Sequence, residues 1–318
     1  MPTQPPQSSN HQQPPTRRLP LKSKIRTAIA CAAILASLSA CSGVTPAASG
    51  GGDNTGDNKT VNFATVPGFD DTVAVTGLWS VLLKEKGYTV KTTSVDLAAG
   101  FSGIARGDLD GYLNAWLPST HAAYIDKYKN DLVIPEKPYF ANDELVLAVP
   151  DFVEENSISD LAQNAAKYDS KIIGIEAGSG EMKLLPDVLS KYSAQDKLKI
   201  VEGSTPAALA ALKSGVDNKK PVVVALWQPH WAFASMPIKA LEDDRQGWPK
   251  PDGSYVVLSK KFAEKHADVR GWMEHSKLTD EQYASLMLAV SEAKDPAQGA
   301  SKWLETPENR KAADEWLK

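Results

Sequence analysis

Two cysteines are all that the 318 residues contain, Cys31 and Cys41, and both fall in the first 41 positions. The rest of the chain therefore has no thiol for a disulfide, a thiolate metal site or a covalent nucleophile. It also lacks motifs that carry common chemistries, with no G-x-S-x-G elbow, no H-E-x-x-H and no G-x-x-x-x-G-K-[ST]. Basic residues are outnumbered, 35 Lys and Arg against 39 Asp and Glu. Five of the basic ones, Arg17, Arg18, Lys22, Lys24 and Arg26, precede Cys41, so the remainder carries 30 against 39. That balance argues against nucleic acid or an anionic surface as a partner. Long apolar runs are missing too: IACAAILASL has about ten to thirteen apolar residues, where a bilayer span needs roughly twenty.

The basic cluster, this short apolar run and LSAC (Leu38 to Cys41) read as a signal peptide over residues 1–40. Small residues before a cysteine, followed by SGVTPAASGGGDNTGDN, resemble the lipobox of bacterial lipoproteins. The resemblance implies an acylated Cys41 and a flexible tether over 41–59. An ordinary secretory signal with an incidental Cys41 is the alternative.

From Val61 onward strands and helices alternate. VNFATV, YTVKTTSV and LDGYLNAW read as strands, separated by the helical stretches TVAVTGLWSVLLKEKG and LAAGFSGIARGD. After ELVLAVP a second series follows, with strands KIIGIE, KLKIVEG and PVVVALW between the helices SISDLAQNAAKY, GSGEMKLLPDVLSKY and STPAALAALKSG. Residues 261–318 read as mostly helical. Repeated βα units of this kind make parallel sheets, and the ligand crevice of such sheets lies beyond the carboxyl ends of the strands.

Two tryptophans fall on such ends. Trp116 in NAWLPSTH and Trp227 in VVALWQPHW each close a strand and stand two residues before a proline. A core tryptophan normally sits within an element, covered on both sides. One from each βα series suits instead the two walls of an interdomain cleft. Electron-rich ring faces there fit a quaternary ammonium, a diffuse cation without N–H donors, at about 0.5 to 2 kcal/mol per contact. GSG (Gly178 to Gly180) opens a helix after a strand, a place for a small anion or carboxylate.

Over residues 60 to 318 the chain resembles the OpuAC-like family, extracytoplasmic binding proteins of glycine betaine, proline betaine, carnitine and choline ABC transporters. GFDDT, LKEKGY, GDLDGYLNAWLPSTH, LAVP, KIIGIEAGSG, VEGST, VVVALWQPHW and LEDD carry the resemblance, the two tryptophan elements most specifically. It implies an α/β, two-lobed periplasmic-binding-protein (Venus flytrap) fold of type II, its parallel-sheet lobes joined by a hinge. Lobe 1 is expected over 60–147 and 238–318, lobe 2 over 148–237. Trp116 and Trp227 fall on two cage tryptophans, and Phe69 stands where many members carry a third. Asp71 aligns with an aspartate that choline-binding members use near the cation; a helix N-terminal carboxylate is its other reading. The amides of Gly178, Ser179 and Gly180, or His121, are candidates for a ligand carboxylate.

Two further rings of the family are missing, with Leu145 and Leu278 in their places, and Tyr124 or Tyr139 could be recruited instead. The resemblance thus implies a binding protein for a betaine-type solute in an aromatic cage, with choline, carnitine, proline or ectoine as alternatives. It implies no catalytic residues, cofactor or metal. Its partners would be an ABC permease with its ATPase, and a lipid anchor would hold it on the extracytoplasmic face of the cell membrane.

Overall fold

The computed structural model describes residues 59–318. The expected signal peptide, Cys41 and the tether up to residue 58 lie outside the described residues. The described residues cluster as one compact unit.

The chain begins as β1 (Thr60–Thr65), α1 (Asp70–Glu85), β2 (Thr89–Ser94), α2 (Leu97–Arg106), β3 (Gly111–Leu117), α3 (Ala122–Tyr128) and β4 (Leu132–Val133). Local chemistry sets the boundaries. Asp96 accepts from the Ala99 amide to start α2, and Gly107 takes the left-handed conformation that ends it. β3 is buried along nearly its whole length because it lies inside the sheet with side chains packed on both faces.

β5 (Phe140–Pro150) leads into the second series of α4 (Ile158–Gln163), β6 (Lys171–Ile173), α5 (Gly180–Lys191), β7 (Lys199–Val201), α6 (Thr205–Asn218), β8 (Val224–Gln228), α7 (Ala232–Ser235) and β9 (Ile238–Ala240). Ser157 with Asp160, Ser179 and Ser204 cap α4, α5 and α6 in turn. α5 runs through Pro186 and forgoes one backbone hydrogen bond there. The chain returns as β10 (Asp252–Ser259) and ends in α8 (Lys260–Lys265), α9 (Ala267–His275), α10 (Asp280–Ser291), α11 (Pro296–Leu304) and α12 (Pro307–Trp316). No helix among the described residues is long and apolar enough to cross a membrane.

The strands follow the order β2-β1-β3-β10-β5-β8-β6-β7, with β4 beside β10 and β9 beside β5. Each lobe keeps a three-strand parallel core, β2-β1-β3 and β8-β6-β7. Between them β10 and β5 run antiparallel to their neighbours, a departure from purely parallel lobes. These two strands carry the chain out of the first lobe and back into it, so they enter the sheet without a crossover helix. β5 changes sheets along its length. Phe140 and Asp143 pair with β10, whereas Glu144 to Ala148 pair with β8. β9 then pairs with the far end of β5, grouping Ile238–Ala240 with the second sheet. The pairings therefore place the change of sheet near Asp143 on the way out and after Ala240 on the way back.

Buried apolar side chains form three clusters. One lies between α1 and the C-terminal helices, and one lies within the second lobe. The third joins Ala64, Phe69 and Trp116 of the first lobe to Ile175, Leu226 and Trp227 of the second. A single apolar cluster thus spans the cleft.

Candidate ligand-binding site

Inside that third cluster is a small cavity of about 30 Å³, walled by both lobes. From the first lobe come Phe69, Asp71, Tyr112, Trp116, Thr120 and His121; from the second come Ile175, Ser179, Gly180, Glu181 and Trp227, with Leu145 of β5 between them. Trp116 and Trp227 are each 4% exposed, and the Phe69 ring meets the Trp227 ring edge-on at 6.1 Å. Both Trp-x-Pro turns contain a cis peptide bond, Leu117–Pro118 and Gln228–Pro229. Asp252 holds the first turn, accepting from the amides of Ser119 at 2.7 Å and Thr120 at 2.9 Å.

His121 returns to the strand it follows: the Trp116 amide donates to its Nδ1 at 2.8 Å. An accepting Nδ1 leaves the ring proton on Nε2. Burial pushes the imidazole down to about 3, so it stays neutral. His121 therefore brings a neutral ring with one remaining N–H to the cavity wall.

Asp71 lies in the first turn of α1. It accepts from the Thr72 amide at 2.7 Å and from Asn114 Nδ2 at 2.6 Å. Behind it Asn114 Oδ1 accepts from the Tyr139 and Tyr283 hydroxyls, and Thr72 Oγ1 shares a hydrogen bond with Tyr112 at 2.9 Å. Burial outweighs these donors and pushes the Asp71 carboxyl up to about 7. The helix-terminal carboxyl is also a cavity wall.

The GSG segment is more divided than its spacing implies. The Ser179 amide is taken by the Glu176 carbonyl at 2.8 Å, and the Ser179 hydroxyl caps α5 at the Met182 amide. Gly178 lies away from the cavity, and its carbonyl accepts from the Tyr124 hydroxyl at 2.9 Å. Gly180 lines the cavity, and a Cβ there would lie 2.2 Å from the Thr120 carbonyl oxygen. Glycine is needed because the lobes touch backbone to backbone at this point.

Other contacts across the cleft lie outside the cavity. Trp231 Nε1 donates to Asp70 Oδ2, and His230 Nε2 stands 3.6 Å from the same oxygen. Lys183 donates to the Tyr124 hydroxyl and sits 3.8 Å above its ring, which stacks on Phe101. Tyr124 is thus a contact between lobes, and Tyr139 supports Asn114; neither lines the cavity.

Tyr112 and Glu181 are wall residues that sequence reasoning passed over. Tyr112 had a signal: it precedes Trp116 by four residues on one strand, so both point to the same face. Glu181 had none, since an acid in a first helical turn is ordinary.

Fold and cavity together define a class, the two-lobed α/β binding protein with a ligand chamber between its lobes. Within it the chain belongs to the OpuAC family, the substrate binding domain of ABC-type glycine betaine transport systems, whose model matches residues 59–306. Its similarity to the glycine betaine/carnitine transport binding protein GbuC of Listeria monocytogenes is 27% identity over 150 residues, 44% of this chain and 50% of that protein. The matched stretch thus spans half the length of that curated relative. Among solved structures, lactococcal OpuAC in its closed, glycine betaine-liganded form superposes with a TM-score of 0.74 at 28% identity, covering 81% of this chain and 99% of that one. The glycine/betaine/L-proline-binding protein ProX of Borrelia burgdorferi gives 0.74 at 25% identity, over 81% and 97%.

Proposed function

We propose that this protein is the extracytoplasmic solute-binding component of an ABC importer and captures a quaternary-ammonium compatible solute, glycine betaine or a related betaine, for osmoprotectant uptake. One observation carries the reading: three aromatic rings from both lobes, Trp116, Trp227 and Phe69, meet a buried carboxyl, Asp71, around one cavity. Ring faces and a carboxyl attract a cation, while the small cavity's mostly apolar walls favour one that is cheaply desolvated. His121 Nε2–H and the amide of Gly180, which lines the cavity at the start of α5, supply donors for a ligand carboxylate. In this reading residues 60–147 and 238–318 act as one lobe and 148–237 as the other, and ligand stabilises the closed arrangement. The closed form docks on a membrane permease with its ATPase, and Cys41 anchors the protein by lipid to the outer face of the cell membrane.

The test is a titration of the 59–318 fragment with glycine betaine, proline betaine, carnitine, choline, proline and ectoine, followed by tryptophan fluorescence and calorimetry. A saturable response to a betaine is expected. Silence toward every quaternary ammonium in the panel would reject the reading.

A further inference from the structure

Glu181 lies in the first turn of α5 and lines the cavity, yet is 2% exposed. Neither carboxyl oxygen has a well-aligned hydrogen-bond partner among the described residues, and the Leu226 amide is the one donor that reaches the group. Burial pushes this carboxyl well above the usual carboxylate range, and the nearby Leu226 amide offsets the effect only in part. An unpaired buried carboxyl is costly, and an apolar side chain of similar size would fill the position without that cost. The other buried acids of the region have donors: Asp71 holds Thr72 and Asn114, and Asp143 accepts from Ser254. Of these three wall or near-wall acids, Glu181 alone has both carboxyl oxygens without a well-aligned partner.

The missing partner has a definable chemistry. The carboxyl reaches β8 beside Leu226, next to Trp227, which is a wall of the aromatic cage. A group seated against Trp227 by its ring face is a cation, and a quaternary ammonium offers charge without N–H donors. Such a partner satisfies a carboxylate through charge alone and needs no directed hydrogen bond. Around the cavity the other titratable residues are Asp71, Tyr112 and His121. His121 and Tyr112 are both held neutral by burial, so they bring no positive charge to compete with a ligand.

We propose that Glu181 is a specificity-determining residue of the cavity, meeting the positive end of the ligand and tilting selection toward solutes of net positive charge over zwitterions. A cation such as choline favours the ionised form of the wall carboxyls Asp71 and Glu181, which burial alone holds toward the protonated form, and then gains from their charge. A zwitterion gains less, because its own carboxylate opposes that ionisation. This rests on the cavity being a quaternary-ammonium site.

Choline and glycine betaine distinguish the two charge classes while sharing one trimethylammonium group. Their affinities are measured by calorimetry on the parent, Glu181→Gln and Glu181→Leu, with thermal unfolding of each. In both variants choline affinity is expected to fall on the order of tenfold or more, glycine betaine affinity to change less than about threefold, and melting temperature to hold or rise. An unchanged ratio of the two affinities, or a larger loss for glycine betaine, overturns the proposal. Lower melting temperatures with equal losses for both ligands overturn it too and make Glu181 structural. A parent protein that binds neither ligand rejects the functional reading and this inference together, whereas a parent that binds while the ratio stays fixed rejects only the inference.

Discussion

Asp71 is held in a conflict between burial and use. With its carboxyl raised from 3.8 to about 7, the folded protein binds a proton there that the unfolded chain releases near pH 4. Stability from this group is therefore complete below about pH 4 and declines as pH rises to about 7. Replacing Asp71 by Asn removes that decline: in urea titrations at pH 5 and pH 8, the variant should gain on the parent as pH rises, and a constant difference would contradict the assignment. In the proposed reading the two tryptophans act on ligand more than on folding. Trp116→Ala and Trp227→Ala are each expected to lose about 1 to 3 kcal/mol of betaine affinity by calorimetry while their folded baselines persist. The place of both tryptophans on the cavity wall was legible because each closes a strand of a different βα series just before a proline. Glu181 was not, because its environment is set by β8, which lies 43 residues further along the chain at its start.

Elements were read well where a local signal existed. Serine and aspartate caps, period-two strands and the glycine stops place most of the first series within two residues of its observed bounds. The direction of β5 and β10 was hidden, since a strand buried on both faces shows the same pattern whichever way it runs. The long third cluster across the cleft was hidden for the same reason: apolar residues do not state which lobe they meet. α5 offers a test of that contact. Gly180→Ala improves the first turn of the helix by propensity, yet its methyl would strike the Thr120 backbone. Unchanged or higher melting temperature is expected with at least about tenfold weaker betaine binding, because closure is blocked while each lobe stays intact. Full affinity in this variant would mean that the lobes do not need to approach here.

For the whole molecule, the proposed function makes closure and binding one equilibrium. The cavity is walled by both lobes, and the Asp70–Trp231 and Tyr124–Lys183 contacts bridge them outside it. Ligand should therefore raise the cooperative unfolding of the whole 59–318 unit, by about 2.7 kcal/mol at a hundredfold excess over Kd. Calorimetric melting that shifts only one of two separable transitions would show that ligand engages one lobe alone. The path of the chain between the lobes carries a further consequence. β5 leaves the first sheet and β9 ends beside it, with Ala148 paired to Ala240. The second lobe thus begins and finishes at one spot, like an excursion spliced into an otherwise continuous first lobe. Trp227, Gly180 and Glu181 all lie within the excursion, so half of the ligand chamber can be exchanged as a cassette without rethreading the other half.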